Sequence, residues 1–139
     1  MSEINKVLST LAYVKDFSGS TVLIKLGGAA LQDMDLVHAI CEDIYAIRSV
    51  GVNVVIVHGG GPAINQELTS KGIQWEFIDG QRKTTLEMME VIEMTLCGLV
   101  NRRIVKALNS VGVRAAGLSG VDAGTLVCKQ SNVKLGQVG

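Results

Sequence analysis

TVLIKLGG at residues 21–28 and VNVVIVHGGGP at residues 52–62 share one design, in which a short and almost continuously apolar run ends in glycines. Runs of this length, rich in β-branched residues, are typical of strands that are covered on both faces. Between them, Asp33 is placed to N-cap a helix, and Gly51 suits the first position beyond that helix. A strand, a helix and a second strand in this order predict a parallel βαβ unit.

The segments after the second predicted strand continue the alternation. Pro62 suits the first position of a helix that is expected to end near Lys71 and Gly72. Residues 73–83 are predicted to be irregular or to form a short hairpin. The alternation places the chain in the α/β class, with a mainly parallel open sheet.

A long helical region is predicted to follow. Thr84 and Glu87 stand three residues apart, which is the spacing of a capping box, and the apolar pattern then runs to Val111. Gly98 is a point where this helix is expected to kink or break. Two more strands are predicted beyond it, at Val113–Leu118 and, as an edge strand, at Thr125–Lys129.

Composition limits the classes of protein that fit. The chain has 139 residues and 47% hydrophobic content, which suits one α/β domain. Its 13 basic and 13 acidic residues balance, so no net charge favours nucleic acid or an anionic membrane. The first 20 residues lack the apolar core of a signal peptide, and no apolar run is long enough to span a membrane. A cytoplasmic protein is expected.

Cysteine usage agrees with a reducing compartment. The three cysteines are far apart, and none belongs to a C-x-x-C pair; they are Cys41, Cys97 and Cys128. Neither a disulfide framework nor a zinc site is indicated, and buried free thiols are the simpler interpretation. No metal-binding cluster is predicted.

The first candidate site is Lys25 with Gly27 and Gly28. A lysine near the carboxyl end of a strand, followed by glycines, lets backbone amides approach an anion closely, and ligands of open α/β sheets bind at this edge. Lys25 would neutralise charge on a transferred phosphoryl group. A lysine that extends from the sheet edge beside an ordinary turn explains the same residues equally well.

The second candidate is the turn of Gly59, Gly60 and Gly61 between His58 and Pro62. Free N–H groups and the partial positive charge of a helix N-terminus favour a carboxylate or phosphate there. The turn matches neither a Walker A loop nor G-x-G-x-x-G. With no carboxylate or serine at a readable spacing, His58 is expected to form hydrogen bonds rather than to act as a general base.

The third candidate is Arg82, which precedes a predicted helix in the loop that reads DGQRKT. Its planar guanidinium is suited to bind a carboxylate through two hydrogen bonds, although a solvated basic loop has the same sequence. Residues 117–120 (GLSG) form a further glycine turn at the same predicted edge of the sheet. Its meaning stays open from the residues alone.

Together these segments resemble the amino-acid kinase family, and within it the N-acetylglutamate kinases. The stretches that carry the resemblance appear in the family's order: LIKLGGAAL at 23–31, VVIVHGGGPAIN at 54–65, FIDGQRKT at 77–84, MEVIEMTLCGLVNRRIV at 89–105, AAGLSGVD at 115–122 and LGQVG at 135–139. The resemblance implies a three-layer αβα sandwich that phosphorylates a carboxylate with ATP and Mg²⁺. It also implies that residues 19–139 are the amino-terminal, substrate-binding part of such a domain.

The resemblance assigns roles to individual residues. Lys25 resembles the lysine that stabilises the phosphoryl transition state, and Gly27 and Gly28 resemble the turn near the ATP phosphates. Gly60 and Gly61 resemble glycines that contact the substrate. Arg82 resembles the arginine that binds the α-carboxylate of N-acetyl-L-glutamate.

The chain departs from the family at two levels. Around Arg82 the family commonly has a hydrophobic residue and then an aspartate, where this chain has Lys83 and Thr85, so substrate preference is open to a slight difference. The family's second catalytic lysine, its organising aspartate and the adenine pocket belong to a half that this sequence lacks. The chain alone is therefore expected to be inactive.

Two other functions remain open. One is the kinase-like domain of an N-acetylglutamate synthase, and the other is a regulatory module that senses arginine or another amino acid without catalysis. Residues 1–18 are predicted to be an amphipathic helix, with an apolar stripe within residues 3–15. Similar helices in arginine-inhibited family members join dimers into a hexamer, which implies a homo-oligomer with L-arginine as feedback inhibitor.

Overall fold

The βαβ unit predicted at the amino-terminal end is present in the computed structural model, which describes residues 4–5 and 14–139. Strand β1 (Thr21–Leu26) and strand β2 (Asn53–His58) are parallel, with Thr21 opposite Asn53 and Leu26 opposite His58. The second strand begins and ends one residue later than predicted. The α/β class with a parallel sheet is confirmed.

Helix α1 (Met34–Ser49) connects these strands, and its ends follow the sequence prediction. The Asp33 carboxylate accepts hydrogen bonds from the backbone N–H groups of Asp35 and Leu36, at 3.0 and 3.1 Å. Gly51 has a φ of +87° just beyond the helix, where a residue with a Cβ would be strained. A short 3₁₀ turn at Ala30–Gln32, which the sequence did not predict, precedes the helix.

Helix α2 (Gly61–Ser70) starts at the second glycine turn, and a hairpin follows it. Pro62 lies at the second helical position, and the helix ends at Ser70 with Lys71 as its C-cap, as expected. Strands β3 (Glu76–Ile78) and β4 (Gln81–Lys83) pair antiparallel, so residues 73–83 contain the predicted hairpin. Asp79 and Gly80 both have positive φ, as a two-residue type I′ turn requires.

The long helical region consists of three pieces in direct succession: helix α3 (Leu86–Glu93), a π-helical segment (Met94–Val100) that contains Gly98, and helix α4 (Asn101–Ser110). The capping box at Thr84 is wrong. Thr85 is the N-cap and accepts from Met88 N–H, whereas Thr84 is buried and bonded to residues 135–137. Threonines stand at both positions, so local sequence could not separate them.

The main core lies between the sheet and two helices. Val37, Cys41 and Ile44 of α1 pack against the buried face of α4, and the sheet adds Ile24, Val54 and Ile56. The alternation of side chains along a strand sends the intervening residues to the opposite face. Within the described part of the chain, Leu23, Val55 and Val57 are exposed on that face, so the prediction that the strands are covered on both faces is wrong.

The two strands predicted after α4 are wrong. Residues 113–118 have no regular secondary structure, and although they alternate between half-buried and exposed, they form no ladder in the described structure. A groove of about 640 Å³ separates them from β2, and ladder formation requires a strand about 5 Å away. Residues 125–129 are exposed and form no strand either, because a strand-like composition alone does not supply a pairing partner.

Residues 131–138 return to the start of α3. Leu135 is buried, Thr84 N–H donates to Leu135 O, and Gln137 N–H donates to Thr84 O. The LGQVG segment is thereby held against the end of β4.

Most of the predicted amino-terminal helix, residues 3–15, lies outside the described residues. Its role in oligomerisation and the domain limits at residues 18 and 19 stay predictions. No helix within the described part of the chain combines the length and apolarity needed to cross a membrane.

Of the thiols, Cys41 is buried and Cys97 half-buried, but Cys128 is exposed, so the expectation of buried cysteines is wrong for Cys128. Burial raises the pKa of the Cys41 thiol.

Candidate active site

The first two glycine turns meet at the carboxyl edge of the sheet. Gly59 N–H donates to Leu26 O at 3.0 Å, which extends the strand pairing into the turns. A Cβ on Gly28 would lie 2.8 Å from Pro62 Cδ and 3.0 Å from Gly61 N. Only a residue without a side chain allows this approach, so the pairing of β1 with β2 explains the need for glycine at position 28.

The second turn is also enclosed by the π-helical segment. A Cβ on Gly60 would lie 2.6 Å from Leu96 Cδ2 and 3.3 Å from Val100 Cγ2. Gly60 N-caps α2 without a side chain, so the first N–H groups of the helix have no side-chain acceptor there. Those donors, together with the helix dipole, favour an anion at this end of α2.

Lys25 lies one residue before the end of β1, opposite Val57. Its side chain is exposed on the sheet face that α1 and α4 do not cover, and it forms no hydrogen bond or ion pair with any described residue. The structure therefore brings Gly28 together with Gly60 and Gly61, but it does not join Lys25 to them by a direct contact.

Arg82 on β4 is half-buried between the hairpin and α2. Its Nη2 donates to Asn65 Oδ1, and Asn65 lies one helical turn after Gly61. The guanidinium carbon is 5.2 Å from the ring centre of Trp75 and 4.7 Å from that of Phe77. Nη1 is buried and has no partner among the described residues. Burial lowers the pKa of Arg82, although an arginine remains charged at neutral pH.

The two residues that depart from the family pattern, Lys83 and Thr85, have partners other than this guanidinium. Lys83 Nζ is 2.7 Å from Glu76 Oε1 on the hairpin surface, and both side chains are exposed. Thr85 N-caps α3, a role that an aspartate performs about as well. Neither residue forms a hydrogen bond to Arg82.

His58 and Asn101 connect the second glycine turn with the third one, at 117–120. Asn101 is only 8% exposed, and its Nδ2 lies 3.4 Å from His58 Nε2 and 3.5 Å from Leu118 O. His58 Nδ1 lies 3.0 Å from Gly59 O. Both contacts fit a neutral imidazole that is protonated on Nδ1, so His58 takes the hydrogen-bonding role that its sequence position indicates.

The turn at 117–120 is fixed at both ends. Arg102 Nη2 donates to Gly117 O at 3.2 Å. The Asp122 carboxylate accepts from Ser119 N–H at 2.6 Å and from Ser119 Oγ at 3.1 Å, and these hydrogen bonds hold the pKa of Asp122 below its usual value.

Gly117→Ala is expected to destabilise the fold, because the new methyl group would overlap Asn101 Oδ1. Overpacking of this kind costs about 1–3 kcal/mol. Gly98→Ala is the matched control, since nothing lies within 4 Å of the corresponding position. Urea denaturation of both variants measures the difference, and equal stabilities would show that the turn does not pack against Asn101.

Sequence reasoning did not single out four residues around this site: Asn65, Trp75, Phe77 and Asn101. One signal was present, because Phe77 lies directly opposite Arg82 in a hairpin of this register. The contacts of Asn65 and Asn101 span 17 and 43 positions in the chain and leave no local pattern.

Comparison with known proteins decides the family. The model of the amino acid kinase family matches residues 20–137. The chain belongs to the amino acid kinase family. Within it, the chain is 45% identical over 131 residues to the acetylglutamate kinase of Ruegeria pomeroyi, covering 94% of this chain and 46% of the relative. It is 46% identical over 138 residues to that of Roseobacter denitrificans, covering 99% and 47%. This family member thus spans about half the length of the curated relatives it matches.

Solved structures agree on the fold. The smu.665 protein of Streptococcus mutans superposes with a TM-score of 0.66 at 30% identity, over 72% of this chain and 40% of that one. N-acetylglutamate synthase of Neisseria gonorrhoeae, complexed with coenzyme A and N-acetyl-glutamate, superposes with a TM-score of 0.63 over 81% of this chain and 26% of that one. At 19% identity, the second likeness shows the fold alone.

Proposed function

We propose that this chain is the substrate-binding part of an acetylglutamate kinase, a cytoplasmic enzyme of arginine biosynthesis that phosphorylates the side-chain carboxylate of N-acetyl-L-glutamate with ATP. The observation that carries the proposal is the guanidinium of Arg82, which lies beside α2 and whose buried Nη1 has no partner among the described residues. A buried charged donor without an acceptor is costly, and a substrate carboxylate would satisfy it.

The two glycine turns would bind the substrate and the phosphates of ATP. Gly60 and Gly61 would present backbone N–H groups to the substrate, and Gly27 and Gly28 would approach the phosphates of ATP. The open space around Gly27 fits this use, since no other part of the described structure lies within 4 Å of a Cβ built there. Lys25, which forms no ion pair with a described residue, would stabilise charge on the transferred phosphoryl group.

Mg²⁺ would arrive with the nucleotide. Among the described residues there is no group of three His, Cys, Asp or Glu side chains that could hold a metal. Magnesium in kinases is bound largely by phosphate oxygens, carboxylates and water, so the turn beside Lys25 is compatible with MgATP without such a cluster.

The kinase is favoured over the other two functions. The relatives at 45–46% identity are named acetylglutamate kinases. The likeness to a synthase is confined to the fold, and Lys25 and the glycine turns are present where a purely sensory module would not need them.

The proposal is tested by calorimetric titration of the 139-residue chain with N-acetyl-L-glutamate. We expect saturable binding and no acyl phosphate in a hydroxamate assay with MgATP, because positioning and charge stabilisation are divided between two halves of the domain. L-Glutamine is the control ligand, since it has no side-chain carboxylate. Absence of binding would contradict the proposed function, and authentic turnover by this chain would contradict the expectation that the chain alone is inactive.

A further inference from the structure

The surroundings of Arg82 contain more than a carboxylate site needs. Besides the bond to Asn65, two aromatic rings lie against the guanidinium, at 5.2 Å for Trp75 and 4.7 Å for Phe77. The rings meet edge to face, with centroids 5.8 Å apart and an interplanar angle of 89°. A cation within about 6 Å of a ring centre is attracted by the ring's quadrupole, and tryptophan is the strongest partner.

Trp75 is itself tied to the helix that begins at the glycine turn. Its Nε1–H donates to Thr69 Oγ1 at 3.3 Å, and Thr69 lies near the end of α2. The indole therefore bridges the hairpin and α2 at one point, and the Arg82–Asn65 bond bridges them at another. With two such ties, the guanidinium plane has a fixed orientation relative to α2.

The two terminal nitrogens of the guanidinium differ in their partners. Nη2 donates to Asn65, whereas Nη1 is buried and has no partner among the described residues, so it is an unsatisfied donor. A free arginine side chain has many rotamers, and their loss on binding would weaken the complex. An arginine held in advance avoids that loss.

We propose that Trp75 is a positioning residue: its indole, anchored through Thr69, holds the Arg82 guanidinium in the orientation in which it binds a carboxylate of the substrate. This inference rests on the proposed function, since it concerns the same site. The alternative is that Trp75 only stabilises the hairpin.

Binding measurements on Trp75 variants separate the two explanations. Trp75→Leu removes the ring, and Trp75→Phe keeps an aromatic face but removes the indole N–H. We expect Trp75→Leu to raise the Kd for N-acetyl-L-glutamate about tenfold, and Trp75→Phe to raise it about threefold or less. Thr69→Val, which removes only the acceptor of the indole bond, is expected to resemble Trp75→Phe.

A double-mutant cycle tests whether Trp75 acts through Arg82. In an Arg82→Ala background, Trp75→Leu should change the Kd less than twofold, because the group it positions is gone. An effect that persists in that background would overturn the inference. An unchanged Kd of Trp75→Leu in the parent chain would also overturn it. So would a loss of binding by Trp75→Leu that is fully explained by the fraction of unfolded protein, as measured by urea denaturation.

The chain contains a single tryptophan, so its fluorescence reports on this site directly. N-acetyl-L-glutamate is expected to change the emission of Trp75, and the change should be lost in Arg82→Ala. Glutarate, a plain dicarboxylate, serves as the second probe. If glutarate alone gives the Arg82-dependent change, the proposed substrate is wrong and the carboxylate site stands. If neither probe changes the emission, the inference is overturned.

Discussion

Replacement of Lys25 with alanine is expected to lower the maximal rate of phosphoryl transfer by about two to three orders of magnitude, which is typical for loss of one preorganised electrostatic group. The side chain has no ion pair within the described residues, so its charge is available to the reaction. The substrate KM should change little, because in the proposed site Arg82 and the glycine turns would make the ground-state contacts. The measurement is made in a polypeptide that also carries the nucleotide-binding part of the family domain.

Lys71→Ala is the matched control for this prediction. Lys71 is exposed at the carboxyl end of α2, away from the glycine turns, so its removal changes net charge equally without touching the site. Equal rates for the Lys25 and Lys71 variants would show that Lys25 has no role in phosphoryl transfer and is only a lysine that extends from the sheet edge.

Arg82→Ala is expected to weaken binding of N-acetyl-L-glutamate by about tenfold to a hundredfold, since a hydrogen bond to a charged group contributes about 1.5–3 kcal/mol. The proposed contact would form already in the ground state, so most of the change is expected in the Kd rather than in the rate constant. Arg82→Lys should also bind poorly, because an ammonium cannot bond to Asn65 and a carboxylate in the planar geometry of a guanidinium.

Lys83→Ala provides the control for Arg82. Lys83 is the next residue in β4, and its exposed side chain pairs with Glu76 on the hairpin surface. Calorimetry should show nearly unchanged affinity for this variant. If the Arg82 and Lys83 variants weaken binding to the same small extent, the effect is one of general charge, and Arg82 does not hold the carboxylate.

The elements that sequence predicts well are those with local signals. Asp33 and Gly51 mark the two ends of α1 because capping and a positive φ depend on a few neighbouring residues. Asp79 and Gly80 mark the hairpin for the same reason. The apolar runs at β1 and β2 correctly predict two parallel strands, but the predicted cover on both faces is wrong, because Leu23, Val55 and Val57 are exposed on one of them.

The strand that was predicted at Val113–Leu118 shows where this reasoning fails. Its alternation is correct, but a strand also needs a partner at hydrogen-bonding distance, and a groove lies between it and β2. Pairing of this kind depends on residues far away in the chain. The prediction of the N-cap of α3 failed for a related reason. Thr84 is buried against residues 135–137, so Thr85 was the threonine that was free to cap the helix.

The features of the candidate site fall into the same two groups, those with a local signal and those that depend on distant contacts. Sequence alone predicted an anion site at Lys25, the two glycine turns and Arg82, because charge, planarity and the absence of a Cβ belong to the residue itself. Only the tertiary structure decided that Gly28 touches Gly61, that Asn65 and Trp75 hold Arg82, and that Asn101 meets His58. Those contacts join residues far apart in the chain or on different elements, and packing rather than local preference brings them together.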